Sequence, residues 1–404
     1  MTGEAASGRS AHLPYLDGLR GTASAWVLLY HIALLNAVQY PVLKEGPSAV
    51  DLFMVLSGFL MAFHYLEREG REPWQSSATW KQFWIRRFFR IAPVYYLLLA
   101  VALITGPWIS EARNLIGTDQ WQAVRLVDRY TDQSLLNLLS HVSFTFGFLP
   151  RYSYEDALPD WSIGLEMQFY IALPFLMLLW KRVGPLGLAA SGLVASLLVR
   201  HFFPSYVAAF VMPSMLTMKL HVFVAGMLLA AALRGGGVRK VTMLVATAIV
   251  LPLVAGFAHI DNFRSAAIQT ILIGLFACLV FHRQAQRFAL AAAVMRAVIA
   301  AFDSRFMRWL GDTSYSVYLL HLLIVIPVVG LLFTVPGFAA LHGSTRVLLS
   351  AAIAIPPVYL VAYLLHRFIE RPGIALGKRA LSRRSGPQIG PKDDSDAVVT
   401  AYTK

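Results

Sequence analysis

Apolar runs of about twenty residues recur along this chain, separated by short polar segments that carry most of its cations. Twenty residues of α-helix rise about 30 Å, the thickness of a bilayer's hydrocarbon core, so each run predicts a membrane-spanning helix. The runs fall near 17–38, 48–66, 89–106, 160–180, 184–202, 216–233, 241–258, 265–282, 312–334 and 345–367. A further piece, 135–150, is shorter and polar at both ends, which leaves a span, a re-entrant segment and an interfacial helix open. The expectation is an all-α polytopic membrane bundle of about ten transmembrane helices. Residues 1–372 form its transmembrane domain, and 373–404 read as a disordered cytoplasmic tail.

Composition narrows the class. Of 404 residues, 57% are hydrophobic and 14% charged, with a mean hydropathy of +0.59, too apolar for a soluble chain of this length. The net charge of +13 does not point to nucleic acid, because the cations sit in clusters between apolar runs, as cytoplasmic loops do. With both termini cytoplasmic and 135–150 not crossing, 26 of the 35 Lys and Arg residues lie inside and 9 outside. That bias follows the positive-inside rule, whereas a crossing at 135–150 would move Lys181, Arg182 and the later clusters to the other side. The first dozen residues lack a compact signal-peptide pattern, so the first run reads as a retained span. Cys278 is the only cysteine, which excludes an intrachain disulfide and a cysteine-based zinc site. No metal site is expected.

The first run carries the most chemistry. Asp17, Arg20 and His31 fall near one helical face, and Arg20 and His31 are about 16 Å apart along the axis. Charge inside a membrane is expensive, so such a stripe reads as a functional pathway. His31 lies about seven residues inside the outer end of its run and Glu166 about six inside its own, so both sit about 10 Å deep. They are able to meet, either as a general base with an orienting carboxylate or as a pair that only joins two helices. Asp51 enters the second run from the same side, where it suits an acceptor mouth, a cation pair or a helix cap.

Arg87 and Arg90 share a helical face near the inner end of the third run, beside Arg86 and at the depth of Arg20. Guanidinium groups gathered at one depth repel unless an anion joins them, and both phosphates and lipid headgroups fit. His321 sits near mid-membrane, facing either the same cavity or a neighbouring helix. Trp161, Ser162 and Tyr170 flank Glu166 and read as cavity lining or as part of an aromatic belt. His12 and Asp17 are spaced H-x4-D, but Pro14 interrupts that pattern.

Several motifs then align with one family. They are Tyr15-Leu-Asp-Gly-Leu-Arg-Gly with Arg20-x10-His31, Val50-Asp51 through Leu60, Arg87-x-x-Arg90-Ile-x-Pro93-x-Tyr95, Trp161-Ser162-x3-Glu166-x2-Phe169-Tyr170, Leu310-Gly-x2-Ser-Tyr315-x2-Tyr-Leu-x-His321, and Glu370-Arg-Pro372. In this order and spacing the chain resembles the integral-membrane acyltransferase 3 family, which O-acylates sugars and other extracytoplasmic acceptors from acyl-CoA. The resemblance implies that His31 is catalytic, that Arg20, Arg87 and Arg90, with Arg86 adjacent, contact the acyl donor, and that Glu166 is required. Asp51 joins the catalytic candidates, and Asp17, Trp161, Ser162, Tyr170, Tyr315 and His321 join the cavity or acceptor candidates. Many relatives carry a hydrolase-like domain after the last span, where this sequence has a short tail.

The implied protein is an acetyl-CoA-dependent O-acetyltransferase of the bacterial cytoplasmic (inner) membrane. Its partners are acyl-CoA as co-substrate, a sugar-containing acceptor and the lipid bilayer, with no permanently bound cofactor and no nucleic acid. The competing class is a transporter or flippase of a lipid-linked sugar, with His31 and Glu166 as a proton relay. No inverted repeat favours it. A non-catalytic scaffold in a polysaccharide-synthesis complex is a third reading. Acyl length, acceptor and oligomeric state stay open.

Overall fold

The computed structural model describes residues 13–117, 129–282 and 289–382, and these contain helices and no strand. In chain order the helices are α1 (Tyr15–Leu35), α2 (Gly46–Arg68), α3 (Ser77–Leu115), α4 (Leu135–Val142), α5 (Trp161–Phe202), α6 (Pro204–Ala208) and α7 (Leu216–Leu233). They continue with α8 (Val238–Phe257), α9 (Phe263–Val280), α10 (Ala289–Phe302), α11 (Arg305–Phe333), α12 (Gly343–Leu365) and α13 (Arg371–Ser382). Every apolar run named above is helical. Eight helices among the described residues are long and apolar enough to cross a membrane. α1 matches them in length, at 21 residues, but its polar stripe lowers its hydropathy.

α5 contains two of the expected spans. Its 42 residues would reach about 63 Å if straight, twice the hydrocarbon thickness. Gly184 interrupts it at φ 75° and ψ 173°, a conformation that only glycine adopts readily, and Pro185 follows.

Two segments settle what the sequence left open or misassigned. α4 has eight residues, about 12 Å of helix, too short to cross. It exposes Leu135, Leu136, Leu138 and Leu139 and buries Asn137, Ser140 and His141, so 135–150 is a short amphipathic element and not a span. The tail expected to be disordered from residue 373 is helical to Ser382, with Gly373 and Gly377 of α13 set against Pro93 and Phe89 of α3. Residues 383–404, like His12, lie outside the described residues.

Consecutive spans alternate in direction, so α1 and α11 run parallel from the same end of the bundle, and they pack at very close range. A Cβ on Gly21 would stand 2.6 Å from the Gly311 amide nitrogen, and a Cβ on Gly311 would stand 2.2 Å from the Asp17 carbonyl oxygen. Only glycine lets two backbones approach so closely. This contact holds the register in which His31 faces His321.

A buried ionic cluster ties α2 to α7 and α9. The Lys219 ammonium lies 3.1 Å from Asp51 Oδ1 and 2.7 Å from Asp261 Oδ2, and Gln269 Nε2 donates to both carboxylates at 2.7 and 2.8 Å. Of the roles open to Asp51, an acceptor mouth, a cation pair or a helix cap, the structure shows the cation pair. A carboxylate at this depth needs a cation, and α7 supplies one.

Two outcomes are expected in thermal unfolding of the detergent-purified protein. Gly311→Leu should lower the midpoint strongly by forcing α1 and α11 apart, whereas Gly274→Leu, with nothing within 4 Å of the added Cβ, should not. Lys219→Met, which leaves two buried carboxylates without their cation, should cost about 3–5 kcal/mol.

Candidate active site

The parallel packing of α1 and α11 places the two intramembrane histidines in contact. His321 Nε2 lies 3.0 Å from His31 Nδ1, and main-chain carbonyls fix which nitrogen carries each proton. His321 Nδ1 lies 2.7 Å from the Tyr318 carbonyl oxygen and 3.2 Å from that of Val317, so Nδ1–H donates there. The Val27 carbonyl, 3.0 Å from His31 Nδ1, requires the proton on that nitrogen as well. Neutral His321 therefore accepts at Nε2, and His31 Nδ1–H is shared between His321 and Val27. His31 is left with its Nε2 lone pair available, the arrangement a general base needs. Tyr30 packs edge-on against the ring at 4.7 Å between centroids.

Glu166 takes a different place from the one that depth counting suggests. Its Oε1 accepts from Ser57 Oγ at 2.9 Å and from the Tyr170 hydroxyl, while both hydrogen-bonding directions of His31 Nδ1 are taken by Val27 and His321. The expected His31–Glu166 pair is replaced by a His31–His321 pair. Residue counting from assumed span ends misjudges depth as well as facing: Glu166 shares a cavity wall with Arg20, Arg87 and Arg90 and not with His31. α1 turns His31 toward α11, whereas α5 turns Glu166 toward α2.

Two cavities share Arg20, Ser57 and Glu166 in their walls. The inner one, about 50 Å³, is also lined by Phe53, Ser162, Tyr315 and Tyr318. The other, about 230 Å³, opens at the end of the bundle where α1 begins and adds Asp17, His64, Arg87, Arg90 and Tyr170. His31 does not line either one. Its partner His321 lies one helical turn past Tyr318, whose ring stands 6.2 Å from that of His321 and 5.8 Å from that of Phe53. The Tyr318 hydroxyl donates to the Pro159 carbonyl at 2.9 Å and bonds Ser162 Oγ at 2.7 Å.

The wide end gathers three arginines, with Asp17 and Glu166 in the same wall. Arg20, Arg87 and Arg90 converge on it, and none of the three forms an ion pair with a carboxylate among the described residues. Arg87 rests on the Phe83 and Tyr170 rings at 5.8 and 5.6 Å. A neighbouring recess continues this mouth with Arg20, Arg90, Arg371 and Lys378, alongside Asp17, Asp312 and Glu370. Three forked cations around an open mouth suit a polyanion such as a phosphate ester. Arg86 does not belong to this group. It is paired with Glu72 at 2.7 Å, donates to Tyr65 at 3.0 Å and lines neither cavity.

Of the remaining candidates, Asp17, Ser162, Tyr170 and Tyr315 line the cavities. Trp161 is buried and lines neither, and Tyr170 is buried too, which removes both from an outward-facing aromatic belt. The sequence reading missed Ser57, Tyr318, Arg371 and Lys378. Ser57 and Tyr318 stand inside two of the quoted motifs, and that position was their only signal.

The acyltransferase 3 family profile, described as an acyltransferase domain, matches residues 13–367. Among curated proteins, the peptidoglycan O-acetyltransferase OatA of Listeria monocytogenes is 29% identical over 42% of this chain and 25% of its own length. The putative peptidoglycan O-acetyltransferase YrhL of Bacillus subtilis is 26% identical over 92% of this chain and 56% of its own. The acyltransferase MdmB of Streptomyces mycarofaciens is 26% identical over 96% of this chain and 97% of its own. The chain thus spans about a quarter of OatA and about half of YrhL. No solved structure matches it. With the family profile running from the start of α1 to the end of α12, over a bundle of apolar helices, the chain belongs to the acyltransferase 3 family of membrane acyltransferases.

Proposed function

We propose that this protein transfers an acetyl group from cytosolic acetyl-CoA to a hydroxyl of a saccharide-containing acceptor beyond the membrane, with His31 as general base. The observation that carries this reading is the basic mouth: three arginines, none in an ion pair among the described residues, line a cavity that leads toward a histidine with a free Nε2. The positive-inside bias of the loops supports a cytoplasmic position for that mouth and for both termini, in the inner membrane of a bacterium. The relatives named as peptidoglycan O-acetyltransferases support a saccharide hydroxyl as acceptor, and they favour transfer over transport.

In this mechanism Arg20, Arg87 and Arg90 hold the CoA phosphates. The pantetheine arm follows α1 inward past Ser57 and Glu166, a distance matched by the roughly 16 Å between Arg20 and His31. Glu166 acts as a positioning residue for the wall of this path. The thioester stops at Tyr318, one turn short of His321, the partner of His31, where the acceptor hydroxyl meets it from the opposite end. His31 Nε2 takes the hydroxyl proton as the oxygen attacks the thioester carbonyl. The C–S bond then breaks, and the CoA sulfur leaves with the proton that His31 returns. While His31 is cationic, its Nδ1–H points at the His321 Nε2 lone pair, so His321 does the work first assigned to Glu166.

Three outcomes follow for purified protein in nanodiscs and for a complemented deletion strain whose envelope glycans are weighed by mass spectrometry. His31→Ala should lower transfer about 10²- to 10⁴-fold while acetyl-CoA affinity is kept, and substantial transfer by that variant contradicts the assignment. His321→Ala should lower kcat at unchanged KM for the donor, with partial recovery in His321→Gln, whose amide oxygen is able to accept from His31. Arg87→Ala and Arg90→Ala should each weaken acetyl-CoA binding by about 1.5–3 kcal/mol, roughly ten- to a hundredfold by calorimetry. Unchanged affinity in both contradicts the phosphate site.

A further inference from the structure

At the end of the bundle opposite the basic mouth, three metal-ligating side chains that the mechanism does not use meet in a buried cluster. His141 comes from α4, and Asp156 and Asp160 from the loop that leads into α5. Their donor atoms all lie within 4.8 Å of one another, and His141 and both aspartates are almost wholly excluded from solvent. His141 Nε2 stands 3.2 Å from Asp156 Oδ2 and 3.6 Å from Asp160 Oδ2. Donors around a tetrahedral ion with bonds of about 2.0–2.2 Å are separated by about 3.3–3.6 Å, which the two distances from His141 match closely.

The hydrogen bonding separates this cluster from an ordinary His–Asp pair. His141 Nδ1–H donates to the Asn137 carbonyl at 2.9 Å, which aims Nε2 at the two carboxylates. Although 3.2 Å apart, His141 Nε2 and Asp156 Oδ2 do not form an aligned hydrogen bond, and both are buried without a hydrogen-bond partner. Asn137 Oδ1, in the same buried pocket, is also without one. Neighbouring groups hold the donors in place, as the partners of metal-bound histidines and carboxylates do. The Tyr95 hydroxyl donates to Asp160 Oδ2 at 3.1 Å, and the Phe146 ring stacks on the imidazole at 4.4 Å and 5°.

We propose that His141, Asp156 and Asp160 bind a divalent transition-metal cation, with zinc the best match to one imidazole nitrogen and two carboxylate oxygens. The ion would join α4 to the start of α5. Pro159 accepts from the Tyr318 hydroxyl and Ser162 bonds it, so the same segment forms part of the inner cavity wall. The ion's role is to hold that wall in place.

The test uses the full chain in detergent, stripped with EDTA, equilibrated with Zn²⁺ or Co²⁺ alone and desalted. Wild type should retain stoichiometric zinc by elemental analysis, and its unfolding midpoint should rise with Zn²⁺ over EDTA. The Co²⁺ form should show the visible absorption of a four-coordinate nitrogen–oxygen site. Asp156→Asn and His141→Ala should lose the retained zinc and the rise in midpoint. Zinc retained equally by wild type and both variants means adventitious binding and overturns the proposal. A wild type with no retained zinc, no Co²⁺ spectrum and no shift overturns it too and leaves a pair that shares only a proton. The wild-type readouts decide even if the variants fold poorly.

Discussion

The close approach of α1 to α11 is the constraint on which the rest of this structure depends. Gly21 and Gly311 admit backbone where any side chain would keep the helices apart, and the resulting register sets His31 against His321 with their protons fixed by main-chain carbonyls. Lipid offers no hydrophobic force to pull helices together, so this precision rests on shape and polar bonds. The glycines in Tyr15-Leu-Asp-Gly-Leu-Arg-Gly and Leu310-Gly thus belong to the site as much as the histidines do, though they touch no substrate.

Charge inside the bundle divides into two kinds. Asp51, Lys219 and Asp261 satisfy one another and hold α2, α7 and α9 together, and Arg86 is satisfied by Glu72. Burying a charge is tolerable when its partner is as close as these are. Arg20, Arg87 and Arg90 have no such carboxylate partner, and they face an open cavity. Cations that fold into a membrane protein without internal neutralisation are the ones positioned to meet an external anion. That contrast, more than the presence of arginine, is what singles out the mouth.

Much of this was legible in the chain. Hydropathy located every long helix, because a bilayer demands about the same apolar length from each, and the three arginines were grouped correctly because span ends share a depth. Facing directions were not legible. Counting from assumed span ends put His31 and Glu166 at one depth, whereas Glu166 lines the cavity beside Arg20 and His31 lies beyond Tyr318, and which of the roles open to Asp51 it fills was hidden because its partner Lys219 is 168 positions away. The helix from 371 to 382 was missed because its polar residues read as a tail, while its contact with Pro93 and Phe89 depends on small residues at 373 and 377. His141, Asp156 and Asp160 escaped notice because no local spacing joins a short amphipathic helix to a loop.

The central claim is that a donor anchored at the basic mouth delivers its acyl carbon to His31. A cryo-electron microscopy structure with a non-hydrolysable acetyl-CoA thioether measures this directly. The account predicts phosphates on Arg20, Arg87 and Arg90, and the carbon that stands for the thioester carbonyl beside Tyr318 within reach of His31 Nε2. Phosphates bound elsewhere, or an acyl terminus on the far side of Glu166 from the histidine pair, would contradict it.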